Sequence, residues 1–561
     1  MSSTYRLDGT VFAEMVKSGA GNLRNNVQTV NELNVFPIPD GDTGENMSRT
    51  IEGGVSALSA YNSDDIAQAT DILARGMLLS ARGNSGVILS QFFEGVRIGF
   101  VGCKDAGVKE IKAAFAAGVK QAYSAVVQPT EGTILTVMRE AGEVANAVDD
   151  GAAIEEYFDK YIDEMYASLE RTPELLPILR ESGVIDSGGA GFVYIVEGMN
   201  RALTGGADLH VVSAENAHAH FETAATADED KFGADSEMKF GYCTELIVQL
   251  MSAKTDVEKY DVKTLIEYLE SIGGDSIVAF KTGTRIKLHV HTFEPDKVLC
   301  YCRSIGEFIS VKVENMSVQH TEAVVRNRFE RQTPKKSKER KKYATVAVAD
   351  GDGLIEQFKS LGADFVVDGK QTMNPSTQDF IAAFDEVNAD VIFVLPNNSN
   401  VIMAANQAAE LYKRSRIEVI ASKTLAEGYS AMSMHDYSSD KVEEIRAGFE
   451  DAVNGVTTGL VTYSVRDCNI NGQKIKKGDW MGLSGKSVYS CSPDIVTAAC
   501  DLIDKIDKDG KSVIIAMRGK QNADDEIVQK IAAHINKNYP DIEFYDFYGG
   551  QDVYSFVFVI E

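Results

Sequence analysis

The stretch Asn34-Val35-Phe36-Pro37-Ile38-Pro39-Asp40-Gly41-Asp42-Thr43-Gly44-Glu45-Asn46-Met47 decides how the chain is read. Two carboxylates, Asp40 and Asp42, stand two residues apart, and in extended backbone such residues point the same way. Pro37 and Pro39 stiffen the approach, and Gly41 and Gly44 allow a tight turn. Met47, Ile51 and Val55 then fall on one face of a helix. A pair of hard oxygen donors thus stands at the mouth of a helix, whose free N–H groups suit phosphate. These are the parts of a phosphoryl-transfer site. Read alone, Asp-Gly-Asp is equally an acidic turn. A calcium loop fits poorly: counted from Asp40, the sixth position is Glu45 where Gly is needed, and the twelfth is Ile51 where Glu is needed.

Three more Gly-rich helix starts follow in the same region. Ala81-Arg82-Gly83-Asn84-Ser85-Gly86 precedes Val87–Phe93, Pro129-Thr130-Glu131-Gly132-Thr133 precedes Ile134–Met138, and Asp186-Ser187-Gly188-Gly189-Ala190-Gly191 precedes Phe192–Ile195. Each alone reads as an ordinary cap and turn. Together with the Asp40/Asp42 stretch they suggest more, because helices packed side by side would bring several N-termini to one rim and cradle a triphosphate. Apolar residues at helical spacing over 67–80, 87–100, 111–127, 134–148 and 157–169 predict a region that is almost entirely helical.

Three of these segments, N-V-F-P-x-P-D-G-D-T-G-x-N-M, A-R-G-N-S-G-V-I-L-S-Q-F and D-S-G-G-A-G-F, resemble the nucleotide domain of fatty acid kinase catalytic subunits. Those are relatives of the nucleotide-binding L subunit (DhaL) of dihydroxyacetone kinases. The resemblance implies an all-α antiparallel helical barrel over residues 1–210 that binds ATP with Mg²⁺, two ions being expected. It implies Asn34, Asp40 and Asp42 as Mg²⁺ ligands, with Asn34 standing where dihydroxyacetone kinases have Asp, so that the site carries less charge. It implies phosphate contacts from Thr43, Gly44, Asn46, Asn84, Ser85 and Gly86, and places Thr133, Met138 and Asp186 near the nucleotide. Arg82 is read either as neutralising charge that develops in transfer or as half of a structural salt bridge.

Downstream the texture changes. Residues 211–238 form an acidic linker, in which His218 and His220 read as solvated. Residues 239–325 show strand, helix, strand, strand, helix, strand, which predicts a small ferredoxin-like α+β domain. There Cys243, His289 and His291 are a candidate Zn²⁺ set, with Glu245 or water as the fourth ligand; a buried Cys and two His on a polar sheet face is the plainer alternative. The Y-C-T-E and H-V-H-T segments also resemble the kinase family, which implies zinc. Residues 326–342 are a basic linker, read as solvated rather than as a nucleic-acid or lipid contact. Over 343–561, strands at 343–349, 391–395 and 417–421, each followed by a turn and a helix, predict a parallel α/β sheet. Strands at 460–465, 512–517, 543–548 and 553–560 predict a second lobe. Asp350-Gly351-Asp352-Gly353 reads as a helix-capping turn, with a second metal site as the alternative. By resemblance, which extends to Gln371–Thr377, this two-lobed α/β (DegV-like) domain docks a separate fatty-acid-binding carrier protein of the DegV kind.

Composition bounds the partners. Across 561 residues, 83 acidic against 56 basic residues leave a formal charge of −27, which argues against nucleic acid or an anionic membrane. Seven scattered Cys fit a reducing compartment. Met1–Arg6 lacks an apolar signal core, and no apolar run approaches the ~18 residues of a membrane span. A cytoplasmic protein is expected; a homodimer is expected from the resemblance alone. No His occurs in residues 1–205, and there is no P-loop. A carboxylate, with a pKa of about 4 to 5, is already ionised at pH 7 and needs no general base. The sequence therefore suits phosphorylation of a carboxylate; the resemblance implies that this is a fatty acid carboxylate, presented by the carrier, giving acyl phosphate for phospholipid synthesis. A dihydroxyacetone kinase-like enzyme and a non-catalytic nucleotide-sensing scaffold are the alternatives.

Overall fold

A computed structural model describes residues 4–34, 41–204, 242–257, 259–282, 284–315, 340–369, 374–470, 473–485 and 487–561. The chain divides into two compact units, one of residues 1–209 with 339–561 and one of residues 210–338. Among the described residues no helix is long and apolar enough to cross a membrane.

The first part of the larger unit is helical, as the periodicity predicts. Its helices are α1 (Gly9–Asn25), α2 (Val27–Glu32), α3 (Thr43–Ala57), α4 (Ile66–Ser80), α5 (Gly83–Gly99), α6 (Val108–Ser124), α7 (Ile134–Ala145), α8 (Ile154–Leu175), α9 (Pro177–Ser182) and α10 (Ser187–Leu203). Their apolar faces meet on an aromatic centre. Phe92 packs edge-on to Phe115 at 5.5 Å and to Phe192 at 5.0 Å, and Phe115 in turn meets Tyr157, Phe158 and Tyr161. Small residues let neighbouring helices touch backbone to backbone. A Cβ on Gly95 would lie 2.3 Å from the Ala117 carbonyl oxygen, and one on Gly99 2.3 Å from the Ala114 Cα. Later positions on α5 thus meet earlier ones on α6, so the pair is antiparallel.

The second part of this unit is α/β. Strands β5 (Lys341–Ala349), β6 (Phe365–Asp368), β7 (Ala389–Leu395) and β8 (Arg416–Val419) form a parallel sheet in the order β6-β5-β7-β8. Its helices are α13 (Asp352–Ser360), α14 (Thr377–Val387), α15 (Ile402–Leu411), α16 (Leu425–Met434) and α17 (Val442–Gly455). A second, six-stranded sheet is mixed, with order β13-β12-β9-β16-β14-β15. It contains β9 (Thr457–Tyr463), β12 (Trp480–Ser484), β13 (Ser487–Ser492), β14 (Val513–Arg518), β15 (Glu543–Tyr548) and β16 (Phe556–Ile560). Only β14 and β15 run parallel in it. Helices α18 (Ile495–Lys505) and α19 (Asp525–Asn538) complete this part, with the small hairpin β10 (Cys468–Ile470) and β11 (Gln473–Ile475). The sequence reading did not anticipate β6, β10, β11, β12 or β13. These are short, and β12 and β13 carry Gly482 and four serines, with Val488 their one β-branched residue.

The Asp350 turn joins the two sheets. Gly351 has a φ of +87°, which favours glycine, and the Leu354 N–H donates to the Gly549 carbonyl at 2.8 Å. Asp350 is buried there, and burial pushes its carboxyl up to about 7.

In the smaller unit, β1 (Tyr242–Leu250), α11 (Val262–Ser271), β2 (Asp275–Thr282), β3 (Arg285–Thr292), α12 (Pro295–Ile305) and β4 (Gly306–Asn315) follow the expected βαββαβ order. The sheet is antiparallel throughout, in the order β2-β3-β1-β4. Leu246, Val248, Leu288 and Val290 bury one of its faces with Leu265 and Leu269 of α11 and Val298 and Cys302 of α12.

The α5–α6 crossing yields a stability prediction. Gly95→Val drives a branched side chain into backbone atoms that have no rotamer to relax through. We expect a loss of about 2 kcal/mol or more, measured by denaturant unfolding of the full chain against Val119→Ala, which removes volume at a half-buried position of α6.

Candidate functional site

Four helix starts meet at one end of the helical region, and the local sequence explains each. On α3, the Gly44 N–H donates to Asn31 Oδ1 at 2.7 Å, and a Cβ on Gly44 would lie 2.5 Å from the Val27 carbonyl oxygen. Only glycine lets α3 sit this tightly on α2. Gly41 also lies against Asn34: a Cβ on Gly41 would be 3.5 Å from Asn34 Cβ. Asp40 lies outside the described residues. Asp42 is the residue before α3 and is 8% exposed.

On α5, Gly83 has a φ of +57°, and Asn46 of α3 packs beneath it. The Arg82 N–H donates to Thr50 Oγ1 at 3.3 Å, and Gly86 abuts the same hydroxyl. Asn46 and Thr50 therefore interlock the first turns of α3 and α5. On α10, the Asp186 carboxylate accepts the Gly189 N–H at 2.7 Å as a cap, while Ser187 Oγ donates to Thr43 Oγ1 at 3.3 Å. Gly188 packs on Ile134, which puts the start of α10 against that of α7.

A cavity of about 230 Å³ opens between the starts of α5, α7 and α10. Asn84 and Ser85 of α5, Thr133 just before α7, and Asp186, Ser187 and Gly188 form its polar walls. Ile88, Val126, Ile134 and Leu135 form its apolar walls, together with Met403 of α15. The arrangement suits a ligand with an anionic end and a flat apolar end. Burial pushes the Asp186 carboxyl up to about 6, against the cap bond from Gly189, which lowers it.

The expected residues are thus largely gathered. Thr43, Gly44 and Asn46 lie on the first turn of α3, and Asn84, Ser85 and Gly86 on that of α5; Thr133 and Asp186 line the cavity. Met138 does not: it is fully buried in the helical core, where its carbonyl accepts from the Tyr161 hydroxyl at 3.3 Å. The Arg82 guanidinium turns to the C-terminal α/β region, donating to the Asn374 carbonyl at 3.0 Å with Asp379 at 3.7 Å. Sequence reasoning missed Gln128 in the cavity wall, and it named no site residue in that region, where Met403 lines the cavity and Asn374, Asn400 and Arg466 contact the helical region. The available signals there were the Gln371–Thr377 segment and the polar loop at 396–400.

Among the described residues no group of three or more His, Cys, Asp or Glu is arranged to hold a metal ion. The Asp350 turn serves as a packing joint between the two sheets. In the smaller unit, strand register sets Cys243 opposite His291 and Glu245 opposite His289.

Comparison with known proteins accounts for nearly the whole chain. The DAK2 domain family matches residues 37–201, the FakA-like middle domain of fatty acid kinases matches 239–323, and the FakA-like C-terminal domain matches 344–561. Protein YloV of Bacillus subtilis is 38% identical over 562 residues, covering 99% of each chain. The uncharacterized protein SAR1202 of Staphylococcus aureus is 36% identical, over 99% of this chain and 100% of that one. Among solved structures, a dihydroxyacetone kinase from C. freundii in complex with AMP-PNP and Mg²⁺ aligns over 34% of each chain at 18% identity and a TM-score of 0.28. On its sequence, from end to end, this chain belongs to the FakA-like fatty acid kinase family, kinases that carry a DAK2 domain at the N-terminus.

Proposed function

We propose that this chain transfers the γ-phosphoryl group of Mg-ATP to the carboxylate of a fatty acid held by a separate carrier protein, giving ADP and acyl phosphate. The observation that carries this reading is the meeting of four helix N-termini around Asp42 and the cavity. The N–H groups and helix dipoles at that rim favour the phosphates, and the apolar wall suits a base. Asn34, Asp40 and Asp42 would hold Mg²⁺; oxygen donors on a turn of this kind suit a hard cation. The metal, when bound, would neutralise charge on the transferring group. Thr43, Asn84, Ser85 and Ser187 would orient the phosphates by hydrogen bonds, and Met403 and Ile88 would exclude water beside them.

What the rim offers supports a carboxylate acceptor. The sole cavity carboxylate with a raised pKa, among the described residues, is Asp186, and it is committed to capping α10. A hydroxyl acceptor would need a base; a carboxylate acceptor does not. A hydroxyl acceptor is the second reading because Asp186, at about 6, would suit such a base. The C-terminal α/β region, read as DegV-like, would dock the carrier, and the ferredoxin-like middle unit would bind Zn²⁺ through Cys243, His289 and His291. The register of β1 against β3 supports that set, because it brings the three positions to neighbouring points of one sheet. A cytoplasmic setting fits the acidic chain.

Hydroxylamine trapping tests the main reading. Mg-ATP, a fatty acid and a carrier protein should give hydroxamate with the wild-type chain; Asp42→Ala should lower it at least ~100-fold. Phosphorylation of a small hydroxy-ketone instead would shift the reading to a hydroxyl kinase. Asp186→Asn keeps a good cap, so turnover should stay within a few-fold of wild type if the acceptor is a carboxylate and collapse if Asp186 is the base. The same variant has a pH signature. An acid whose folded pKa is raised to about 6 costs stability as pH climbs from its unfolded value to that point. Wild-type stability should carry a fall between pH about 4 and 6 that Asp186→Asn lacks, read from melting temperatures. For the middle unit, elemental analysis should find one zinc per chain, lost in Cys243→Ala and His291→Ala.

A further inference from the structure

Three of the residues assigned to the metal and phosphates in the reading above, Asn34, Asp42 and Asn84, are contacted by the C-terminal α/β region. The Asn374 side-chain amide donates to Asp42 Oδ2, and Asn374 is 2% exposed. The Asn84 amide donates to Asn400 Oδ1 at 3.2 Å. Arg466 donates to the carbonyls of Glu32, at 2.9 Å, and Asn34. Asn34 and Asp42 are therefore both contacted by the C-terminal α/β region.

From this geometry we propose that Asn374 is a positioning residue for Asp42, so that the phosphoryl-transfer site is completed by the C-terminal α/β region. The proposal rests on the reading of Asp42 as a metal ligand.

Three features support positioning over mere packing or obstruction. The first is charge. An amide donor orients one carboxylate oxygen without neutralising it, leaving the full negative charge for a cation. A Lys or Arg in its place would compete with the metal for that charge. Hydrogen bonds of this kind to ligating carboxylates fix their orientation. The second is rigidity. Pro375 restricts Asn374 to extended backbone, and Ser376 with Asp379 forms a reciprocal cap on α14. The Asn374 carbonyl is held by Arg82, and the Thr377 N–H donates to the Ala81 carbonyl at 3.2 Å. The third is the seam itself. Gln407 of α15 donates to the Leu78 carbonyl at 2.7 Å and accepts from Gln91 at 2.9 Å, and Ala81 and Val87 are buried within the apolar core of the α/β region. Such an interface holds Asn374 on Asp42 instead of letting it swing.

Arg82 gains a role here as well. Its guanidinium is the strut that fixes the Asn374 backbone, so it acts on the site through Asn374.

The test uses the full chain. Mg²⁺ is titrated in two assays, hydroxamate formation and binding of a fluorescent ATP analogue. Asn374→Ala should lower turnover ~10- to 100-fold and raise the Mg²⁺ midpoint for nucleotide binding about tenfold, with the melting temperature within a few degrees of wild type. Asn374→Asp, which faces Asp42 with a second carboxylate, should lose more. Asn374→Ser, which keeps a donor, should lose less, and it carries the same comparison should the alanine variant fail to fold. In an Asp42→Ala background, Asn374→Ala should add no further shift in the binding midpoint, because its effect runs through Asp42. A wild-type Mg²⁺ midpoint and turnover in Asn374→Ala, beside a dead Asp42→Ala, overturns this inference alone. Wild-type Mg²⁺ dependence in Asp42→Ala overturns the metal reading and this inference together.

Discussion

A helix start leaves peptide N–H groups without partners, and burying one without a compensating acceptor is costly. The helical region of this protein brings four such starts to one rim, so the rim must be capped, solvated or given an anion. Asp186 caps one of them. Around the others the chain supplies small polar side chains, Thr43, Asn46, Asn84 and Ser85, beside the carboxylates Asp42 and Glu45 at the start of α3. Convergence itself depends on close helix packing: antiparallel neighbours joined by short turns place alternate starts at the same end. Glycines at the contacts, such as Gly95 and Gly99 against α6, allow the approach.

The same economy appears where the helical and α/β regions meet. Amides dominate the seam: Gln91, Gln121 and Gln407 form a chain, and Asn84 meets Asn400. Each amide can both donate and accept, so these side chains can pair across the seam without adding charge to it. Of its charged members, Arg82 is matched by a carbonyl and by Asp379, and Arg466 by the carbonyls of Glu32 and Asn34. Within the α/β region, the Asp350 turn pins one sheet to the other through glycine backbones, since a Cβ on Gly353 would lie 2.1 Å from the Tyr548 carbonyl oxygen.

Much of this was legible from residue order. The helical periods at 67–80 and 134–148 mark α4 and α7 closely, because an amphipathic stripe is a local property. The βαββαβ order of the middle unit was legible for the same reason, since each strand and helix has its own period. Short polar strands such as β13 were not, because what makes Ser487–Ser492 a strand is its partner β12 and the covering α18.

At the site, the sequence by itself determined the chemistry: carboxylates at Asp40 and Asp42, and Gly with Ser or Thr before each apolar helix. Those are local signals, carried by neighbouring residues and by the backbone conformations they permit. Only the tertiary structure decided which of them share a cavity, that Met138 turns into the core, and that Asn374, 332 residues from Asp42, closes on it. The physical reason is separation. A hydrogen bond between residues so far apart is made where two regions of the chain pack together, and no local period or turn preference records where one surface will meet another.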